Sequence, residues 1–189
     1  MLYVVIVAAI ACAACGRDST RGRAVPLRRE IGVPDAPPAT LLASGEHRTP
    51  GVRYVADWPI MRHAVVMRPL TPVPWPSETF STNRAAVSVV FATTIAPDHV
   101  LIEAYREIDE NGEPTGKSVL TFECDGFSRP ECAFVHAGSE VRIDDVPLAA
   151  DASYAVVFAY WHIPEADRLR AETAFASASW IFRVKPSTS

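Results

Sequence analysis

Residues able to do chemistry are thinly spread along this chain, and their spacing decides what they can do. The five His stand singly at positions 47, 63, 99, 136 and 162, with no H-E-x-x-H and no pair at helical spacing. Tetrahedral metal sites and dithiol redox centres need close spacings such as C-x2-C, and Cys124 and Cys132, eight apart, do not provide one. Neighbouring carboxylates occur at Asp144-Asp145 and along Asp109–Glu113. The first pair points to opposite faces of a strand and the second lies in a hydrophilic turn, whereas glycoside hydrolysis needs two carboxyls facing each other across a cleft. Asp109-x-Asn111-Gly112 has the start of a calcium loop, but counting from Glu107 puts Ser118 where the closing Glu belongs. No G-x-S-x-G elbow, phosphate-cradling Gly loop or dinucleotide fingerprint occurs, and the chain holds nine Gly in all. The expectation is a non-enzyme with no catalytic residue, no metal site and no cofactor.

The elements that would position any site follow from composition and period. The chain has 189 residues, 49% hydrophobic and 21% charged, with a formal net charge of −4, enough for one sizeable domain and a tail. A mild negative charge argues against a nucleic-acid partner. Beyond residue 51 the dominant period is two: Val87, Val89 and Phe91 alternate with smaller and polar residues, as do Val100, Ile102 and Ala104. Segments Ser118–Cys124, Cys132–Ala137, Glu140–Asp145, Ser153–Ile163 and Ser177–Val184 continue the series, with Arg62–Arg68 upstream. About seven to eight strands, punctuated by Gly, Pro, Asn and Asp, predict an all-β antiparallel sandwich with one helical turn near Glu165–Glu172.

Within that frame, Cys124 and Cys132 bracket DGFSRPE, a turn between adjacent strands, and are expected to form a disulfide contributing about 2.5 kcal/mol on a chain-entropy argument. Trp180 shares the face of Phe182 and belongs in the core. Trp161 falls opposite Tyr154, Phe158 and Tyr160, so it is the exposed ring expected to stack a sugar. Trp58 and Trp75, each followed by Pro, are expected to pack on a sheet edge. The long charged connection before the last strand puts Arg168, Leu169 and Arg170 at its tip, the expected contact with a protein partner.

Two resemblances add to this reading. Leu2–Ala14 is an apolar run of about thirteen residues, too short for a spanning helix of about 20 residues and suited to the core of a secretory signal. With Ala13 and Ala14 before Cys15, it resembles a bacterial lipoprotein signal, in which lipid is added to the Cys that becomes the new N-terminus. Lipidation at Cys15 leaves Cys124 and Cys132 as an even pair; lipidation at Cys12 after Ala9-Ile10-Ala11, or plain secretion after cleavage at Ala11 or Ala13, stays open. Gly16 after the Cys implies the outer membrane or cell surface, and the implied partners are the membrane through the lipid plus an unknown envelope protein or glycan. Residues 16–50 carry six Arg against four acids and Pro at 26, 34, 37, 38 and 50, which predicts a disordered tether between the signal (1–15) and the domain (51–189). The second resemblance lies in Leu148, six residues before Tyr154, followed by Val156, Phe158 and Tyr160. It is similar to the tyrosine corner of fibronectin type III and immunoglobulin-like domains, and implies a Tyr154 hydroxyl bonded back to the corner. The expected protein is therefore a lipid-anchored envelope module that binds without catalysis, or else a secreted carbohydrate-binding or accessory module of an envelope enzyme.

Overall fold

A computed structural model describes residues 32–125 and 132–186. Twelve strands occur among them: β1 (Thr40–Ser44), β2 (His47–Pro50), β3 (Val52–Trp58), β4 (Val65–Met67), β5 (Thr79–Thr82), β6 (Ala86–Phe91), β7 (His99–Tyr105), β8 (Leu120–Asp125), β9 (Phe134–Ala137), β10 (Glu140–Pro147), β11 (Tyr154–His162) and β12 (Phe175–Pro186). Val, Ile and aromatic residues dominate the longer ones, as a pleated, half-buried surface favours. The smaller sheet runs β2-β1-β6-β10-β9. The larger runs β4-β3-β12-β11-β7-β8, with β5 added parallel to the end of β12. All other pairings are antiparallel.

The sheets pack face to face as a sandwich. Trp58, Trp161 and Trp180 of the larger sheet and Phe91 of the smaller are all at most 1% exposed. Their rings interlock edge-on across the layers: Trp58 on Trp161 at 5.2 Å, Phe91 on Trp161 at 5.9 Å and Phe91 on Trp180 at 5.8 Å. Three indoles leave little room beside them, so the inward positions around them are Ala56, Ala104, Ala155, Ala159, Ala176 and Ala178, every one buried. Large residues set against small ones bring the layer to interior density. The buried indole N–H groups are satisfied by backbone, Trp58 Nε1 donating to the Pro34 carbonyl at 2.9 Å and Trp161 Nε1 to that of Ile95 at 3.0 Å.

The structure corrects several expectations. The tether does not reach residue 50: Thr40–Ser44 is an interior strand of the smaller sheet, paired with β6 and burying Leu42, while Pro34, Pro37 and Pro38 are buried just before it. Pro-rich flanks hid a short strand whose partner lies 47 residues onward at Leu42↔Val89. Residues 1–31, on which the expected signal with Cys12 and Cys15 and the first part of the expected tether fall, lie outside the described residues. Trp58 stands in the core instead of at an edge, and the expected helical turn is a single 3-10 turn, Glu165–Asp167. The Pro-rich stretch after β4 lies along the larger sheet's outer face, where Trp75 packs edge-on to Tyr154 at 4.8 Å and donates Nε1 to the Gly112 carbonyl at 2.7 Å. Gly112 has φ +80°, a conformation that favours glycine, and a Cβ there would sit 3.1 Å from Val73, tight enough to push on that side chain.

Candidate binding face

Cross-strand register sets out the face from its residues. Directly paired residues share a side of the sheet, so Asp57, Ser177, Tyr160 and His99 form one row across β3, β12, β11 and β7, extended by Val66 on β4. This row is on the outer side. Tyr160 stacks on His99 at 5.2 Å and 12° and meets Phe175 edge-on at 5.1 Å; Phe175 also meets His162 edge-on at 5.3 Å. Phe158 tilts against Tyr160 at 6.4 Å one pair further along. Phe175 is 51% exposed, while Phe158, Tyr160, His99 and His162 are half-buried. An aromatic strip thus faces outward across three strands.

It is continuous with the expected partner loop. Arg168 Nε donates to the Ile163 carbonyl at 3.1 Å, and its guanidinium reaches within 3.4 Å of His162 Nε2, placing the cation beside the ring that touches Phe175. Leu169 is exposed and its N–H bonds to the Pro59 carbonyl, while the Met61 N–H bonds to that of Asp167. Arg170 is exposed, and its carbonyl accepts from both the N–H and the hydroxyl of Thr173. The exposed large hydrophobics among the described residues are Met61, Val66, Leu70, Leu169 and Phe175. They all fall in two stretches, 61–70 and 169–175, which these backbone bonds tie together.

Other singled-out residues land differently. Trp161 is not an exposed sugar platform but is fully buried against Trp58 and Phe91. The face of β11 is reversed relative to expectation, since Ala155, Val157, Ala159 and Trp161 point in and the larger run Tyr154, Val156, Phe158 and Tyr160 points out. Tyr154 accordingly rests against Trp75, and its hydroxyl makes no hydrogen bond among the described residues, so it does not close a corner; Leu148 packs partly buried against the core. Cys124 and Cys132 are bonded, with Cα atoms 5.6 Å apart, and join β8 at the edge of the larger sheet to the approach to β9 at the edge of the smaller.

The carboxylates already have structural duties. Asp109 Oδ1 accepts from the N–H groups of Asn111 and Glu113, each at 2.8 Å, holding the acidic turn. Asp144 takes the Ser88 hydroxyl at 2.6 Å beside Arg142, and Asp145 occupies a left-handed conformation (φ 57°) where the β10 register shifts. Glu113 and Glu103 accept the hydroxyls of Tyr54 and Tyr105, each at 3.0 Å. Burial first, and then these carboxylates, push both phenols up to about 12. No group of three or more His, Cys, Asp or Glu among the described residues is placed to hold a metal ion.

What this face can do is bind: ring faces and edges, a guanidinium and apolar side chains lie together on a rigid sheet. The sequence pointed to its loop, Arg168–Arg170, but not to its aromatic strip, although Phe158 and Tyr160 at alternate positions, with Phe175 beginning the next strand, were the signal. Compared with protein-family models, curated proteins and solved structures, the chain matches none of them.

Proposed function

We propose that this chain is a non-catalytic binding module of a bacterial cell envelope, held to the outer membrane or cell surface through lipid on Cys15 and meeting a protein partner with the face around Phe175. The observation that carries the reading is the gathering of Met61, Val66, Leu70, Leu169 and Phe175 into two hydrogen-bonded stretches beside the Tyr160–His99 stack. Scattered single hydrophobics are ordinary on a surface; a group of them beside an aromatic strip marks an interaction site. An immunoglobulin-like identity for the sandwich is part of the proposal, supported by strand order. Taking β1, β6, β10 and β9 as A, B, E and D, and β7, β11 and β12 as C, F and G gives the neighbour order of an immunoglobulin-like sandwich, to which β2, β8 and the β3–β4 and β5 strands would be additions.

Two experiments test it. Detergent phase partition with intact mass, on wild type and Cys15→Ala in a bacterial host, should show acyl mass and detergent partition in the wild type alone; both proteins remaining aqueous would remove the tether and favour secretion. Cross-linking on intact cells should capture an envelope protein that Phe175→Ser and Leu169→Ser release, and capture undiminished by both variants would sink the assignment of the face. A second reading is favoured by one specific feature: Asp57 and Ser177 share the row of Tyr160, setting polar groups beside a half-exposed ring as a sugar platform would. Retardation in glycan-containing gels, abolished by Tyr160→Ala, would establish that reading in place of the first.

A further inference from the structure

A second, chemically different concavity lies where the β1–β2 turn and the ends of β5 and β12 meet. Ser44, His47, Ser81, Thr82, Asn83, Lys185 and Pro186 line an open cleft of about 560 Å³, within the size range of small-ligand sites. We propose that it binds an anionic saccharide: an oxyanion on a hydroxylated ring. Charge is the first argument. Among the described residues no carboxylate lines the cleft, while Lys185 lines it from β12, directly opposite Ser81 in the parallel pairing. A second cation stands beside it, because the Arg84 guanidinium lies over the turn, 3.7 Å from where a Cβ on Gly45 would be. Among the described residues neither Lys185 nor Arg84 is engaged by a carboxylate, so both charges are available to a ligand.

Hydrogen-bonding capacity is the second argument, and it selects the rest of the ligand. Ser44 Oγ and Thr82 Oγ1 are 2.9 Å apart, and Thr82 Oγ1 also accepts the Arg84 N–H at 3.1 Å. Two hydroxyls sharing one bond leave one proton to donate, whichever way the pair is oriented. Ser81 and the Asn83 amide add donors and acceptors on the same rim. A cation in the cleft and a second beside its turn reward a carboxylate, sulfate or phosphate, and a rim of hydroxyls and an amide suits ring hydroxyls more than an apolar ligand. The cleft shares no residue with the aromatic face, so this inference stands whichever partner that face takes.

Calorimetric titration of the full chain in a neutral detergent tests it with four probes: a galacturonic acid dimer, a sulfated disaccharide, the uncharged galactose dimer and inorganic phosphate. The expected result is that at least one charged disaccharide binds, more tightly than both the uncharged dimer and phosphate, with affinity falling at least about tenfold in Arg84→Gln/Lys185→Gln. Whichever charged probe binds identifies the oxyanion. Arg106→Gln/Lys117→Gln, which removes the same charge from exposed sites away from both the cleft and the aromatic face, should leave the affinity unchanged. Absence of binding by both charged disaccharides, equal binding of the uncharged dimer, phosphate binding as tightly, or an equal loss in the two double variants would each overturn the proposal.

Discussion

The two sides of β11 hold the same kinds of residue in opposite proportions to their burial. Ala155, Val157, Ala159 and Trp161 point into the sandwich and are at most 2% exposed, whereas Tyr154, Val156, Phe158, Tyr160 and His162 point out and keep part of their surface in water. By size alone the outward set is the better core. It stays outside because the interior is already filled: Trp58, Trp161, Trp180 and Phe91 take the volume between the sheets, and the strands beside β11 present Ala104, Ala176 and Ala178 to match. The difference teaches that inward placement here follows the shape of the remaining space, and that ring-rich rows left on the outer side are surface chemistry.

The sharpest way to break this comparison is to empty the inner side. Trp161→Ala should cost about 3–5 kcal/mol, since a fully buried indole and its bond to the Ile95 carbonyl are lost together. A drop in melting temperature of about 10 °C, followed by circular dichroism, would accord with that. A change of under about 1 kcal/mol would mean that Trp161 is not the packing centre assigned to it. Overfilling the same layer gives the next effect. Ala159→Leu sets a larger side chain between Ala178 and Val100 on the neighbouring strands and should cost about 1–3 kcal/mol in urea midpoints, while Val156→Leu on the outer side should stay within about 0.5 kcal/mol.

These contrasts bear on what the sequence could reveal. Alternation was legible where a strand has one small-or-polar side and one apolar side: Val87, Val89 and Phe91, Val100, Ile102 and Ala104, and Ala178, Trp180, Phe182 and Val184 all point inward as their spacing predicts. It misled in β11, where both sides are apolar and a period of two cannot say which one turns inward. It was silent for β1–β3, because Pro34, Pro37, Pro38 and Pro50 give the stretch the composition of a linker while Trp58 and β6 supply distant partners that no local pattern contains. The disulfide was legible because its two Cys stand only eight residues apart in a chain whose remaining Cys lie near the N-terminus. The aromatic face and the cleft beside Lys185 were not, since each is assembled from three or more strands far apart in sequence.

On the outer side, Phe175→Ser should change stability by no more than about 1 kcal/mol, because half of the ring is already in water. The same substitution should remove partner capture. Stability and binding thus separate on opposite faces of one sheet, and a Phe175→Ser variant that unfolds would place that ring in the core after all.

The smallest expected effect concerns two outer-side phenols and is confined to alkaline pH. Tyr54 and Tyr105 donate to Glu113 and Glu103, and partial burial next to a carboxylate raises each from its ordinary value of 10 to about 12. A raised value means that the folded state favours the neutral phenol. The stabilisation is therefore fully present below pH 10, where the unfolded chain also keeps its proton, and is lost as pH rises from 10 through 12. Following phenolate absorbance against pH should show two tyrosines ionising late, and Tyr105→Phe should remove one of them. The same variant should flatten the fall in urea midpoint between pH 10 and 12 without altering partner binding at neutral pH. Tyrosines that all titrate together near pH 10 would mean that the outer side is as wet as an open surface, and that its rings gain nothing from their neighbours before a partner arrives.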